Sequence, residues 1–383
     1  MKRLSGALPV LGVAAVLVLA GCGASGGQAR PSGGAAPPAS AATPGSGATG
    51  SPAPTGSGEA PGPVRLPNSP ATELGGLQAP WSIVFLGSTA LVGQRDDGAI
   101  LELLPGGGSR LVGTVDGVQH RSEAGLLGLA LDQEQRLYAY STGPGGNRIQ
   151  RFALTGQPGS LGLGPAQTIL DGLPSAANHN GGRIAFGPDG MLYATVGDAG
   201  RRAEAQDLGS LAGKILRMTP DGAVPPGNPI AGSLVYSSGH RNPQGIAWTE
   251  DGTMLATEFG QDSWDELNVI VPGGNYGWPV VEGAAGDPAY RDPLQQWPPS
   301  EASPSGMAIL GGTVYIANLR GEVLRTVPLA DPSASAEHYA HELGRLRDIA
   351  VGPDGALWVL TNNTDGRGTP QPGDDRLLRI QPS

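Results

Sequence analysis

Gly187-Pro188-Asp189-Gly190 running into Met191-Leu192-Tyr193-Ala194, and Gly352-Pro353-Asp354-Gly355 running into Ala356-Leu357-Trp358-Val359, are one unit written twice. A Pro-Asp-Gly turn reverses the chain, and the short apolar run behind it reads as a strand. Four weaker copies extend the series: Gly87-Ser88 before Ala90-Leu91-Val92, Gln133-Glu134 before Leu137-Tyr138-Ala139, Glu250-Asp251-Gly252 before Met254-Leu255-Ala256, and Gly311-Gly312 before Val314-Tyr315-Ile316. Each is trailed by another strand, often Gly-x-aliphatic-x-Arg, as in Gly213-Lys214-Ile215-Leu216-Arg217 and Gly321-Glu322-Val323-Leu324-Arg325; the sixth is Asp375-Arg376-Leu377-Leu378-Arg379. The copies recur about 43 to 62 residues apart, the length of a four-stranded propeller blade with its loops. Residues 64–383 are therefore expected to form an all-β, six-bladed β-propeller of four-stranded antiparallel blades. The last unit runs out of chain after its third strand, and residues 64–77 are left over at the start. Pairing the two closes the ring and hides both sheet edges. An open β-sandwich would leave six aligned copies unexplained.

The N-terminus reads as an export signal. Lys2 and Arg3 precede an apolar run over residues 8–20, the length of a signal-peptide core and too short to span a bilayer. It ends in Leu19-Ala20-Gly21-Cys22, and Cys22 is the only cysteine of the chain. A lone thiol placed there suits lipidation, so residues 1–21 read as a lipoprotein signal peptide and Cys22 as the lipid acceptor. No intramolecular disulfide can form. Residues 22–63 are Gly, Ser, Ala, Pro and Thr with scarcely a charge, a composition that cannot offset its ordering entropy and reads as a flexible tether. The expected location is the outer face of the cell membrane, held through the lipid alone.

Without residues 1–59 the chain keeps 21 basic and 33 acidic residues, a net charge of −12. That balance argues against a nucleic-acid partner, which wants a basic face. An anionic small ligand must then be held by a local arginine cluster, and Lys214 is the only lysine beyond the first residues. Arginines do gather in loops that enter predicted inner strands. Gly239-His240-Arg241-Asn242-Pro243-Gln244-Gly245 is one such loop and Arg345-Leu346-Arg347-Asp348 another, with alternation putting Arg345 and Arg347 on one side. Asn318-Leu319-Arg320-Gly321 adds Arg320. Four arginines around one funnel suit an anion with several carboxylates. Asn178-His179-Asn180-Gly181-Gly182-Arg183 places a His in the same setting, and a neutral imidazole is a good general base near neutral pH. Its two glycines permit close approach of a ligand, and Asp198 of Gly197-Asp198 is placed to orient the ring. Glu258 through Asn268, followed by Gly273-Gly274-Asn275-Tyr276-Gly277-Trp278-Pro279, offers carboxylates and glycine-rich carbonyls, hard oxygen ligands that suit Ca²⁺.

Taken in order, Gly125 through Ala130, Asn178 through Arg183, Gly187 through Gly190, Gly197-Asp198, Gly239 through Gly245, Asp265-Glu266-Leu267-Asn268 and Asn275 through Pro279 resemble the soluble sugar dehydrogenases that use pyrroloquinoline quinone (PQQ), the glucose/sorbosone dehydrogenase group. The resemblance covers about residues 74–382. It implies PQQ and Ca²⁺ as cofactors, a small aldose sugar as substrate, oxidation at C1 to the lactone, and an external electron acceptor. It implies His179 as the base, with Arg241 and Asn242 beside the quinone oxygens. Arg345, Arg347 and Arg320 would be cofactor contacts, Arg320 standing where a Lys is common. The carbonyls of Gly260 and Gln261 match the ligands of the calcium at the quinone. Glu266, Tyr276 and Asp287 match a second calcium site, and Glu123 and Asn178 fall on the sugar side. There the sequence departs from the glucose-oxidising pattern: Asn178 replaces Asp, Glu123 replaces Gln, and Ala203 stands where Gln is common. The resemblance therefore points to the cofactor more firmly than to glucose. A calcium-dependent lactonase on a similar propeller would not need the arginines, and a surface carbohydrate-binding module would not need His179.

Overall fold

The computed structural model describes residues 65–383; Cys22, the signal segment and the tether lie outside them. Six antiparallel sheets follow one another along the chain. Blade 1 holds Pro80–Leu86, Thr89–Gln94, Ala99–Leu103 and Ser109–Thr114. Blade 2 holds Leu126–Leu131, Arg136–Gly143, Gly146–Thr155 and Gln167–Leu173, with a two-residue strand, Gly162–Leu163, added to its third. Blade 3 holds Ile184–Phe186, Leu192–Val196, Lys214–Met218 and Val235–Ser238. Blade 4 holds Pro243–Trp248, Met254–Glu258, Asp265–Ile270 and Gln295–Trp297. Blade 5 holds Pro304–Leu310, Thr313–Asn318, Val323–Pro328 and Ala336–His338. Blade 6 holds Leu346–Val351, Leu357–Thr361 and Leu377–Ile380, and borrows Ala71–Leu74 as its fourth strand. The first strand of each blade contacts the first strand of the next, and the sixth returns to the first.

The six repeated strands of the sequence are all second strands of blades, and the strands that trail them are all third strands. One aspartate explains why the strongest copies look alike. Asp189 accepts the Met191 amide at 3.0 Å, the Tyr193 hydroxyl at 3.0 Å and Arg217 Nε at 2.9 Å. Asp354 does the same for the Ala356 amide, the Trp358 indole and Arg379. The carboxylate thus closes the turn, anchors the aromatic of the second strand and collects the arginine of the third. The aromatic rings also join blades edge to face: Tyr138 with Phe186 at 5.1 Å, Tyr193 with Trp248 at 5.1 Å, and Phe85 with Trp358 at 5.5 Å. Such pairs contribute about 0.5–1.5 kcal/mol each beyond their area.

Closure runs as the unfinished last unit requires. Ala71 pairs with Arg379, Thr72 with Leu378 and Leu74 with Leu377, and Arg65 and Ser383 exchange two backbone hydrogen bonds. Leu377–Ile380 is thereby paired on both sides, by Leu357–Thr361 and by Ala71–Leu74. Leu377 is fully buried there, whereas Leu111 in the outer strand of blade 1 is 51 % exposed. Leu377→Ala should therefore lower unfolding free energy by about 2–5 kcal/mol, and Leu111→Ala should change it by less than about 0.5 kcal/mol. Denaturant melts of the two variants check this, and equal effects would remove the seam as a stability element.

Candidate active site

The loop between blades 2 and 3 carries His179 with φ +56°, a left-handed backbone that non-glycine residues seldom adopt. Its Nδ1 lies 2.8 Å from Asp198 Oδ1. Asp198 is fully buried and also accepts the Gly200 amide at 2.8 Å and the Trp278 indole N–H at 2.9 Å. Burial works against its charge, yet the hydrogen bonds from His179, Gly200 and Trp278 hold the carboxyl below its usual range. An ionised Asp198 accepts a hydrogen bond from Nδ1–H and leaves Nε2 as the acceptor. The His179 amide donates to Glu123 Oε2 at 3.0 Å, and the other oxygen of Glu123 pairs with Arg367 at 3.2 Å. The two glycines after Asn180 are required by packing. A Cβ on Gly181 would meet the Thr195 carbonyl at 2.6 Å, and one on Gly182 the Leu127 side chain at 2.5 Å.

Glu123 also borders a cavity of about 240 Å³ at the funnel, walled by Trp81, Arg320, Arg345, Arg347 and Arg367. Arg347 is held by Asn362 Oδ1, at 3.0 Å from Nε, and by Gln244 Oε1, at 3.0 Å from Nη1. Arg345 reaches Asp365 at 3.3 Å, and Arg347 approaches the same carboxylate at 3.8 Å. Burial pulls the Arg347 guanidinium down to about 9, with Asp365 opposing the fall and Arg95 and Arg345 adding to it. One carboxylate therefore faces more cations than it neutralises. Arg345 Nε and Asn242 Nδ2 are buried with no hydrogen-bond partner. Surplus cations and orphaned donors fit a ligand with several carboxylates, so the donor set is compatible with PQQ.

Arg241 stands on the neighbouring side. Its guanidinium donates to Gln261 Oε1 and the Phe259 carbonyl and lies 5.5 Å from the Trp278 ring centre. Burial lowers its pKa, while Asp198, Glu258, Glu282 and Glu123 act to raise it. Asn242 Oδ1 accepts the Gly181 amide at 3.0 Å, tying the His179 loop to blade 4. Glu282 Oε1 gathers the amides of Gln261, Asp262, Ser263 and Trp264, which fixes the strand of carbonyls that includes Gly260 and Gln261. Gly260, Glu266 and Tyr276 share one small cavity with Glu258 and Glu282. Burial, with Glu258 close by, raises the Glu266 carboxyl, and burial raises Asp265 to about 6. This excess of carboxylates over cations, with fixed carbonyls at its edge, fits a hard cation near Gly260 and Gln261.

Of the second expected calcium group, Glu266 and Tyr276 line that same cavity and Asp287 does not. The Tyr276 hydroxyl donates to the Val269 carbonyl and accepts the Val271 amide. Asp287 sits on an exposed loop, where it caps the Ala289 amide. Among the described residues no group of three or more His, Cys, Asp and Glu side chains is set to hold a metal ion. Asn178 is exposed beside His179 and does not wall the cavity. Sequence reasoning missed Arg367, Asp365, Trp81 and Glu282. The first two sit in a Gly-Asp-rich loop without a motif, and Trp81 looked like one more apolar residue of an inner strand. Only the pairing of buried aromatic with buried arginine distinguishes Trp81: Arg183 stacks on it at 4.3 Å.

The comparisons with known proteins bear on this geometry. The chain is 45 % identical to the PQQ-bound aldose sugar dehydrogenase of Streptomyces coelicolor, with a TM-score of 0.78, over 83 % of this chain and all of that one. It is 35 % identical over 241 residues to quinoprotein glucose dehydrogenase B of Acinetobacter calcoaceticus, a match spanning 51 % of this chain and about half, 49 %, of that relative. Over 247 residues it is 30 % identical to the aldose sugar dehydrogenase YliI of Escherichia coli, covering 56 % of this chain and 64 % of that one. The family model described as glucose/sorbosone dehydrogenase matches residues 77–378, so the chain belongs to the glucose/sorbosone dehydrogenase family.

Proposed function

We propose that the protein is a PQQ- and Ca²⁺-dependent aldose dehydrogenase that oxidises a sugar at C1 to the lactone and passes electrons to an external acceptor. The observation that carries this reading is the pairing of His179, its Nδ1 fixed by Asp198 at 2.8 Å, with a cavity bordered by its amide partner Glu123 and walled by Arg320, Arg345, Arg347 and Arg367. Arg345, Arg347, Arg320, Arg241 and Asn242 would hold the cofactor, and the carbonyls of Gly260 and Gln261 the calcium. When bound, PQQ supplies the hydride acceptor and Ca²⁺ polarises its quinone oxygens. The protein does the rest. His179 Nε2 takes the C1 hydroxyl proton as C1 loses its hydride, and Asp198 stabilises the imidazolium that forms. Glu123 holds the His179 amide and thereby the left-handed turn that presents the ring. The guanidinium groups neutralise carboxylates in the ground state. A lactonase would use none of these arginines, and a binding module would not need a base whose second nitrogen is left free.

His179→Ala should lower sugar oxidation by roughly 10²–10⁴-fold while PQQ binding, followed by its absorbance on titration, stays at the parent value. Normal turnover in that variant would remove His179 as the base. Arg345→Ala combined with Arg347→Ala should weaken PQQ binding by on the order of a hundredfold or more, since charge-assisted bonds contribute about 1.5–3 kcal/mol each. Parent-like affinity would make these arginines structural and leave the quinone reading without its support.

We further propose that the protein is held on the outer face of the cell membrane by lipid on Cys22, the only cysteine, which follows Leu19-Ala20-Gly21. Cys22→Ser should move the protein from the washed membrane fraction to the soluble fraction. A variant that stays membrane-bound after washing would mean that something other than this thiol holds it.

A further inference from the structure

We propose that Lys214 is a positioning residue for His179, acting through a clamp on the loop that props Trp278 and Asp198. The inference rests on the reading of His179 as the base.

Lys214 opens the third strand of blade 3 and is wholly buried. No carboxylate lies within ion-pair distance of its ammonium among the described residues. Instead Nζ donates to three backbone carbonyls, those of Glu204 at 2.8 Å, Ala205 at 2.9 Å and Ala212 at 2.6 Å. Three donors meet three acceptors, so the ammonium is saturated. Two of the acceptors belong to the 3-10 turn Arg202–Ala205, where Glu204 O also accepts the Asp207 amide at 3.1 Å. Burial lowers the Lys214 pKa to about 8, with Asp207 and Glu204 opposing the fall. An apolar side chain would avoid the desolvation of a buried ammonium, so the position calls for a reason beyond filling space.

The reason lies in what the clamped loop supports. Ala205 O also accepts the Gly239 amide at 2.9 Å. The next residue, Gln206, donates from Nε2 to the Trp278 carbonyl at 2.7 Å and to Asn275 Oδ1 at 3.0 Å, and accepts Asn275 Nδ2 at 2.8 Å. The Trp278 amide donates to the Gly239 carbonyl at 2.9 Å. Trp278 is thus fixed from both sides of its backbone, and its indole N–H is fixed with it. That N–H holds Asp198 Oδ2 at 2.9 Å, while Asp198 Oδ1 holds His179 Nδ1 at 2.8 Å. A second path is shorter: the Gly213 amide, beside Lys214, donates to the carbonyl of Gly197, beside Asp198, at 3.1 Å. Removing the ammonium takes one hydrogen bond from each of three carbonyls under the loop. The indole then loses its fixed address, and Asp198 is left to share its proton partners differently.

The test uses Lys214→Met, which keeps length and removes every donor, and Gln206→Leu, which leaves the clamp intact but cuts the link to Trp278. In each purified, cofactor-free variant the ¹⁵N signals of the His179 ring are compared with the parent. The parent ring should show one protonated nitrogen, Nδ1. Both variants should show a mixture of tautomers, and after reconstitution with PQQ and Ca²⁺ their kcat should fall about tenfold or more, as small displacements of a reacting group do. Parent-like ring signals in Gln206→Leu, or in Lys214→Met where it folds, overturn the proposal; if Lys214→Met does not fold, Gln206→Leu decides alone. Shifted ring signals with parent-like kcat would instead overturn the reading of His179 as the base and leave the positioning role standing.

Discussion

Everything in the funnel rests on one buried ion pair. Arg183 Nη1 meets Asp348 Oδ2 at 3.0 Å, with both side chains almost fully buried. Arg183 comes from the entry to blade 3 and Asp348 from the first strand of blade 6. Arg183 Nε donates to the Gln244 carbonyl of blade 4 at 2.9 Å and the guanidinium stacks on Trp81 of blade 1 at 4.3 Å. Asp348 also takes the Ile83 amide of blade 1 at 3.0 Å. Burial pushes the Asp348 carboxyl up, against the pull of Arg183 and that amide. A buried pair of this kind adds little net stability over apolar packing, but losing one member costs about 3–5 kcal/mol. Its worth here is that four blades agree on one point at the axis.

The same strand feeds the site. Successive residues of a strand face opposite ways, so Asp348 turns to the ion pair while Arg347 beside it turns to the cavity. Arg347 then reaches Gln244 of blade 4, Ser305 of blade 5 and Asn362 of blade 6, and lies 5.8 Å from the Trp81 ring. The cationic funnel is therefore not a set of flexible surface arginines. Its deepest member is held by neutral amide and hydroxyl oxygens, which orient the guanidinium without neutralising it. A protein with more acidic than basic residues keeps a local positive field only by such segregation. On one side lie Arg320, Arg345, Arg347 and Arg367; on the other, around Gly260, lie Glu258, Glu266 and Glu282. A carboxylate-rich cofactor and a hard cation suit these two fields side by side.

The propeller was legible in the sequence because its repeat is chemically constrained. One aspartate must serve a turn amide, an aromatic and an arginine, so Asp189 and Asp354 recur with the same neighbours at the same spacing. The seam was legible because an unfinished blade demands a strand from elsewhere. Arg345 and Arg347 could be read together from strand alternation, and His179 with Asp198 from loops entering and leaving neighbouring strands of blade 3. Arg367, Asp365 and Glu282 could not. Each acts through a contact that only the closed ring creates: Arg367 of a blade 6 loop with Glu123 of the loop leading into blade 2, Asp365 under the two arginines, Glu282 beneath four successive amides. Such residues lie in long loops whose composition carries no period, and their partners are distant in sequence.

The same argument explains why the sugar side is the least legible part. Cofactor contacts are fixed by charge, and charge leaves few residue choices, so arginines at 345 and 347 are informative on their own. A neutral sugar is held by hydroxyl hydrogen bonds that many side chains and backbone groups can supply. Here the residues expected on that side have protein partners of their own or face solvent. Glu123 is taken up by the His179 amide and Arg367, Asn178 faces solvent, and Ala203 offers no polar side chain at all. A Glu at position 123 also brings a charge that a neutral amide would not, and Arg367 answers it. The pair joins a loop of blade 6 to the loop leading into blade 2, and so couples the presentation of His179 to a loop that also carries Asp365 beside Arg345 and Arg347. Substitution at the rim therefore acts on His179 and on the Arg345–Arg347 pair together, through backbone and ion pair.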